Sequence, residues 1–206
     1  MTVKSGDRNF LLILLGIYLA EFSVLAVAPY QRSVWLAENA VAGITVLVLA
    51  WMYRCGVRFS RTAWLLMAGW IFLQTLGGHY TFERVPFGWI TDLLGAERNH
   101  FDRLCHFWVG FFAWPALEFI EERKLCLTRF AAVFFVVMSI FGFAAIFELI
   151  EWIYAEIADP SSGTAFLGSQ GDLWDAQKDM LADGLGAIAS STVYCLCRRR
   201  QPEVGS

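Results

Sequence analysis

Apolar residues fall in six long runs, at about 10–29, 33–53, 62–78, 104–120, 130–150 and 180–197. Each is close to the roughly 20 residues that a helix needs to cross a bilayer. Between Arg61 and His79, and again between Arg129 and Glu148, no charge interrupts the run. The others carry acids near one end. Between Asp183 and Arg198 only fourteen uncharged residues remain, and fourteen again between Arg103 and Glu118. The sixth helix must therefore draw Asp183, and with it the neighbourhood of Asp179, into the membrane, and the fourth must do the same with His106. The pattern predicts an all-α, polytopic membrane protein: a six-helix transmembrane bundle forming one domain over residues 1–206. Its longer connections are 79–103 and 151–179, taken as lying on the outer side.

Composition agrees with this class. Of 206 residues, 57% are hydrophobic and only 17% charged, with mean hydropathy +0.51. A soluble domain is nearer 45–50% apolar and 25% charged, so a secreted enzyme, a nucleic-acid binder and a disordered scaffold are excluded. A net charge of −3 calls for no polyanionic partner. The five cysteines are scattered and odd in number, and Cys195 and Cys197 lack a second pair to complete a thiolate metal site. The N-terminus has a basic start (Lys4, Arg8) and Ala26-Val27-Ala28, which resembles a cleavage site. Glu21 within the apolar stretch and Pro29 after the cut argue for retention.

Lys and Arg set the orientation. With the N-terminus inside, Lys4, Arg8, Arg54, Arg58, Arg61, Arg123, Lys124, Arg129, Arg198, Arg199 and Arg200 are cytoplasmic. Arg32, Arg84, Arg98, Arg103 and Lys178 are outside. Eleven against five is the bias expected of an N-in, C-in inner-membrane protein.

That orientation gathers His79, His100 and His106 on the outer side, with Glu38, Glu83, Asp92, Glu97, Asp102, Glu148, Glu151 and the later aspartates. Asp102 and His106 are spaced i, i+4, and Glu148 and Glu151 i, i+3. Asp172, Asp175, Asp179 and Asp183 form a stripe at steps of three, four and four. Like charges on one helical face repel, and carboxylates in hydrocarbon are costly unless paired or ligated. His106, Glu148, Asp179 and Asp183 are thus candidate ligands of a divalent ion, Zn, Mn or Mg, with His100 and Asp175 as further candidates. Asp102 is placed to orient His106, Glu151 to act as general base on a bound water, and Arg103 to receive a phosphate. His79, after Gly77-Gly78, reads as a helix-end residue. The apolar stretch Val85 to Ile90 with Leu93-Leu94 reads as a lid or re-entrant segment. The stretch Asp159 to Gly163 reads as a loop.

The runs Gly78-His79-Tyr80-Thr81, Asn99-His100-Phe101-Asp102-Arg103 and Gly171-Asp172-Leu173-Trp174-Asp175 resemble the YjdF-like bacterial inner-membrane proteins, a family without an established function. More distantly, Asp102-Arg103-Leu104-Cys105-His106-Phe107 resembles VanZ-like membrane proteins, which are associated with glycopeptide resistance. Glu151 stands here where that family has Gln, and Asp183 where it has Asn, before Gly186. The departures make this site more anionic. The expected function is a metal-dependent membrane enzyme acting by hydrolysis or phosphoryl transfer on a lipid or lipid-linked head group. The alternatives are a cation or proton transporter, for which Glu21 and Glu118 are the inner stepping stones, and a non-catalytic envelope assembly factor. Membrane lipids are the expected partners.

Overall fold

The computed structural model describes residues 5–199 except 94, 96 and 97. Lys4, Leu94, Glu97 and Arg200, used above, lie outside the described residues, and so does the side chain of Arg199. The described chain is all-helical: α1 (Ser5–Leu25), α2 (Arg32–Arg54), α3 (Arg61–Tyr80), α4 (Gly88–Leu93), α5 (Phe101–Val109), a 3-10 turn (Gly110–Phe112), α6 (Ala113–Arg123), α7 (Arg129–Ile157), α8 (Pro160–Leu167) and α9 (Asp175–Arg199). Among the described residues four helices are long and apolar enough to cross a membrane: Asp7–Leu25, Arg32–Arg54, Arg129–Ile157 and Asp175–Arg198. Their large apolar side chains face outward, among them Leu47, Phe130, Phe143 and Leu196, as lipid contact requires.

The six apolar runs fall on helices, with shifted ends. The first helix stops at Leu25, and the run continues through a turn in which Ala28 has positive φ. The fifth passes residue 150 to Ile157, so that Glu148 and Glu151 lie within α7. The sixth begins at Asp175, which places Asp175, Asp179 and Asp183 on one helix. The fourth is not one helix. Pro115 has no N–H to give the carbonyl four residues back, and the rod breaks into α5, the 3-10 turn and α6.

That break accompanies close packing on α9. A methyl group at Gly110 would lie 2.3 Å from the Ala187 nitrogen, and one at Gly186 would lie 2.0 Å from the Phe107 carbonyl oxygen. Only glycine lets the two backbones approach this far. The helices that meet here are α5, the 3-10 turn, α6, α7 and α9. Their shared core contains Leu117, Val136, Ile140, Ala187 and Tyr194. On the other side α3 packs on α1, α2 and α5.

The two ends of the bundle differ in charge. At one end, α3 begins at Ser60, whose hydroxyl accepts from the Ala63 N–H. The Ser60 N–H in turn donates to Glu118 (3.0 Å), and Glu118 also accepts from the Trp114 indole (2.8 Å). Glu121 accepts from the Tyr194 hydroxyl and pairs with Arg129. This is the basic end, with Arg8, Arg54, Arg58 and Arg61 at the ends of α1 to α3. At the acidic end the His79 ring is fixed to the Leu25 carbonyl (2.7 Å), and the His79 carbonyl accepts from Tyr30 (2.9 Å). His79 therefore ties the end of α3 to the end of α1 and to the turn leading into α2, as a helix-end residue should.

The connection after α7 is not a loop throughout. Asp159 caps α8, accepting from the Ser161 and Ser162 amides, with Pro160 in the first turn. Asp-Pro-Ser-Ser is a turn sequence, but it is also the start of a capped helix. Bonds from Ser161 and Ser162 hold the Asp159 carboxyl well below the usual carboxylate range. Ser162 also bonds Gln31 and Ser33 (2.6 and 2.8 Å), which fastens α8 to the start of α2.

Candidate metal centre at the acidic end

Two helices running side by side from the acidic end, α5 and α9, supply most of the site, and α7 crosses them with Glu148. The Gly110–Gly186 approach fixes their register. It sets His106 against Asp183, with 2.9 Å between Nδ1 and a carboxylate oxygen. The other ring nitrogen, Nε2, faces Asp102 at 3.8 Å and Glu148 at 4.0 Å. Asp102, His106 and Asp179 each offer a ligand atom, and these atoms lie within 4.8 Å of one another. Asp183 is 1% exposed and Asp179 3%. Asp183 Oδ1 and Glu148 Oε1 are buried without a hydrogen-bond partner. Buried carboxylate oxygens seldom go unpaired unless something else neutralises them.

The sequence expectation placed Asp102 behind the ring and Asp183 at the ion. In the structure Asp183 bonds Nδ1, whereas Asp102 faces Nε2.

Arg103 does not stand free for a phosphate. Nη1 donates to the Asp179 carboxylate (2.8 Å) and the Asp175 carbonyl (3.0 Å). Nη2 donates to the carboxylates of Asp175 (2.6 Å) and Asp172 (3.2 Å). Arg98 adds bonds to Asp175 (2.7 Å) and Asp172 (3.4 Å). Asp175 is thereby drawn into a two-arginine clamp and away from the His106 group. Asp172 also accepts from Lys178 (2.6 Å), and that bond foremost holds its carboxyl below the ordinary range. His100 precedes the first residue of α5 and stands apart from the three-residue group. Partial burial, then Arg98 and Arg103, push its imidazole down from the usual value.

The clamp holds α9 to α5 where the desolvated charges are thickest. Arg103→Ala would leave the Asp179 carboxylate without its arginine and Asp175 with Arg98 alone. Removing one member of a buried pair costs about 3–5 kcal/mol, and thermal unfolding in detergent should show a loss of that order. An unchanged midpoint would mean the carboxylates are neutralised otherwise.

Glu151 lies one turn beyond Glu148, buried on α7 and within electrostatic reach of Glu148 and Asp102. Glu38 is the residue the sequence did not single out as a site member. It is 2% exposed on α2, accepts from the Gln74 amide (2.7 Å), and lies within reach of Asp102 and His106. A lone Glu in an apolar run was the available signal, but nothing in its spacing pointed to α5. The expected lid stretch divides: Val85 is buried with Phe82 and Phe101, and Phe87 packs against them. No residue of α4 is buried, and Trp89 and Leu93 stand exposed. The segments beside the cluster are joined by Asn99 and Gln170, whose side chain and backbone bond reciprocally (2.9 and 3.0 Å). A methyl group at Gly168 would lie 3.9 Å from Asp102.

Residues 10–200 match the DUF2238 family, described as a predicted membrane protein. The chain belongs to the DUF2238 family. This DUF2238 protein is also 34% identical over 178 residues to the inner membrane protein YjdF of Escherichia coli (strain K12), covering 84% of this chain and 81% of that protein. No solved structure matches it. With its four apolar helices and this relative, the DUF2238 chain is an integral protein of the bacterial inner membrane.

Proposed function

We propose that this protein holds a divalent cation at the acidic end of the bundle and uses it on a lipid or lipid-linked head group at the outer leaflet, by hydrolysis or phosphoryl transfer. The observation that carries the reading is the meeting of Asp102, His106 and Asp179 within 4.8 Å, beside two buried and unpartnered carboxylate oxygens. An ion such as Zn takes nitrogen and oxygen donors at about 2.0–2.2 Å, which these three side chains reach by a small inward adjustment. His106 Nε2, Asp102 and Asp179 are the ligands, Glu148 a fourth, and Asp183 orients the ring through Nδ1. Charge supports it. Eight carboxylates (Glu38, Asp102, Glu148, Glu151, Asp172, Asp175, Asp179, Asp183) meet Arg98, Arg103, Lys178 and one imidazole. A bound cation would offset that excess.

When bound, the ion would supply electrophilic assistance and an acidified water. Glu151, buried one turn from Glu148, would be the base for the proton of such a water. Arg103 and Arg98 position the acids of α9; a phosphate would have to displace Asp172 or Asp175 to reach them.

The membrane arrangement belongs to the same reading: one domain of six spans, N-in and C-in. α3 and the broken rod α5–α6 complete the crossing alongside the four more apolar helices. α3 is 20 residues long, and the rod is built of nine, three and eleven. The basic end then faces the cytoplasm. Transport is the weaker reading, because both oxygens of Glu118 are engaged at the start of α3. The likeness to VanZ-like proteins adds the motif residues and no reaction.

The test is titration of chelator-stripped protein with Mn²⁺, Zn²⁺ and Mg²⁺. One saturable site for at least one ion is expected. Absence of binding by all three would overturn the proposal.

A further inference from the structure

A second site lies at the other end of the molecule. Between α1, α2 and α3 runs a cavity of about 310 Å³, within the 300–1,000 Å³ range typical of ligand pockets. Its walls are apolar, with Leu15, Val46, Leu49 and Ala68 among them, and two arginines, Arg8 and Arg54, line its basic end. No Asp or Glu lines it among the described residues.

The cavity exists because α1 is loosely held. Only 6% of its apolar span is buried, and its principal neighbour is α3. Both arginines line the cavity because α1 begins and α2 ends at the same end of the bundle. Their surroundings leave them available. Arg58 is spent on the Tyr53 and Val57 carbonyls, and Arg61 on Asp7 at 3.3 Å. Arg8 and Arg54 make no ion pair among the described residues. An apolar cleft ending in two available guanidiniums matches one kind of molecule in a membrane: acyl chains joined to an anionic phosphate.

We infer that this groove is a binding site for an anionic diacyl phospholipid of the cytoplasmic leaflet, its chain along Leu15, Val46 and Leu49 and its phosphate between Arg8 and Arg54. Guanidinium favours phosphate through paired N–H donors, and basic pockets between helices on the cytoplasmic side suit anionic head groups. The lipid would fill the space between α1 and α2 and brace the helix the protein itself packs least. The site is independent of the acidic end.

The test is native mass spectrometry of the full chain, delipidated and then offered equimolar phosphatidylglycerol and phosphatidylcholine in mixed micelles. Wild type is expected to retain phosphatidylglycerol at least about fivefold over phosphatidylcholine, about 1 kcal/mol: both lipids present a phosphate, but the two guanidiniums repel the quaternary ammonium that neutralises phosphatidylcholine. The variant R8Q/R54Q should fall to near parity, while R123Q, an exposed arginine elsewhere at the same end, should keep the preference. Ala68→Trp, which fills the groove, should lower the total lipid retained and remains informative if R8Q/R54Q does not fold. Equal retention of the two lipids by wild type would overturn the inference. So would a preference intact in R8Q/R54Q or lost equally in R123Q, or full retention by Ala68→Trp.

Discussion

Exchanging His106 for alanine should leave purified protein without its divalent ion, whereas wild type retains about one equivalent by elemental analysis. The imidazole is the only nitrogen donor in the Asp102–His106–Asp179 group, and it is the side chain on which α5, α7 and α9 converge. Without it the remaining carboxylates repel one another, and the ion loses both a ligand and the fixed geometry of its neighbours. Variants around it should form a graded series. Asp179→Asn and Asp102→Asn each remove a charged ligand and should weaken binding strongly. Asp183→Asn leaves the ligands in place but changes what holds Nδ1, and losses of about 10–100-fold are usual for such supporting bonds. Glu156→Gln, an exposed acid on the same helix as Glu148, should bind as wild type does. Equal metal content in wild type and His106→Ala would exclude the site. A loss in Glu156→Gln as large as in Asp179→Asn would reduce the effect to general surface charge.

Gly186→Ala should be strongly destabilising, and its contrast with Gly142→Ala makes the test. At Gly186 the added carbon would sit 2.0 Å from the Phe107 oxygen and 3.2 Å from the Gly110 Cα, both backbone atoms that cannot rotate away. Overpacking of this kind costs about 1–3 kcal/mol or more. At Gly142, in the middle of α7, nothing lies within 4 Å. There alanine should be neutral or gain up to about 1 kcal/mol, from helix propensity alone. Thermal unfolding in detergent measures both. The Gly186 variant has a second consequence. Pushing α9 away from α5 also pulls Asp183 from His106, so ion affinity should fall with stability although no ligand has changed. A Gly186→Ala protein as stable as wild type would mean that the two helices are not in the contact described.

The boundary between what the chain's linear pattern disclosed and what it hid follows from the range of the interactions. Hydropathy is a local property. The apolar runs and the carboxylates crowded at their ends could therefore be read directly, and so could the membrane class and the candidate acids on α5, α7 and α9. Helix spacing correctly put Asp102 and His106 on one face, and Asp175, Asp179 and Asp183 on another, because i, i+4 is a relation within one helix. Roles between helices were another matter. That Glu38 would approach from α2 depends on α2 closing on α3, where a methyl group at Gly78 would lie 2.9 Å from the Glu38 Cβ. That Asp183 would take Nδ1 and that Arg103 would be consumed by three aspartates depend on how far α5 and α9 can close on each other. That distance is set by two glycines 76 positions apart, Gly110 and Gly186. Glycine in an apolar run carries no hydropathic signal of its partner. Its effect emerges only when two backbones need the space that a side chain would have occupied.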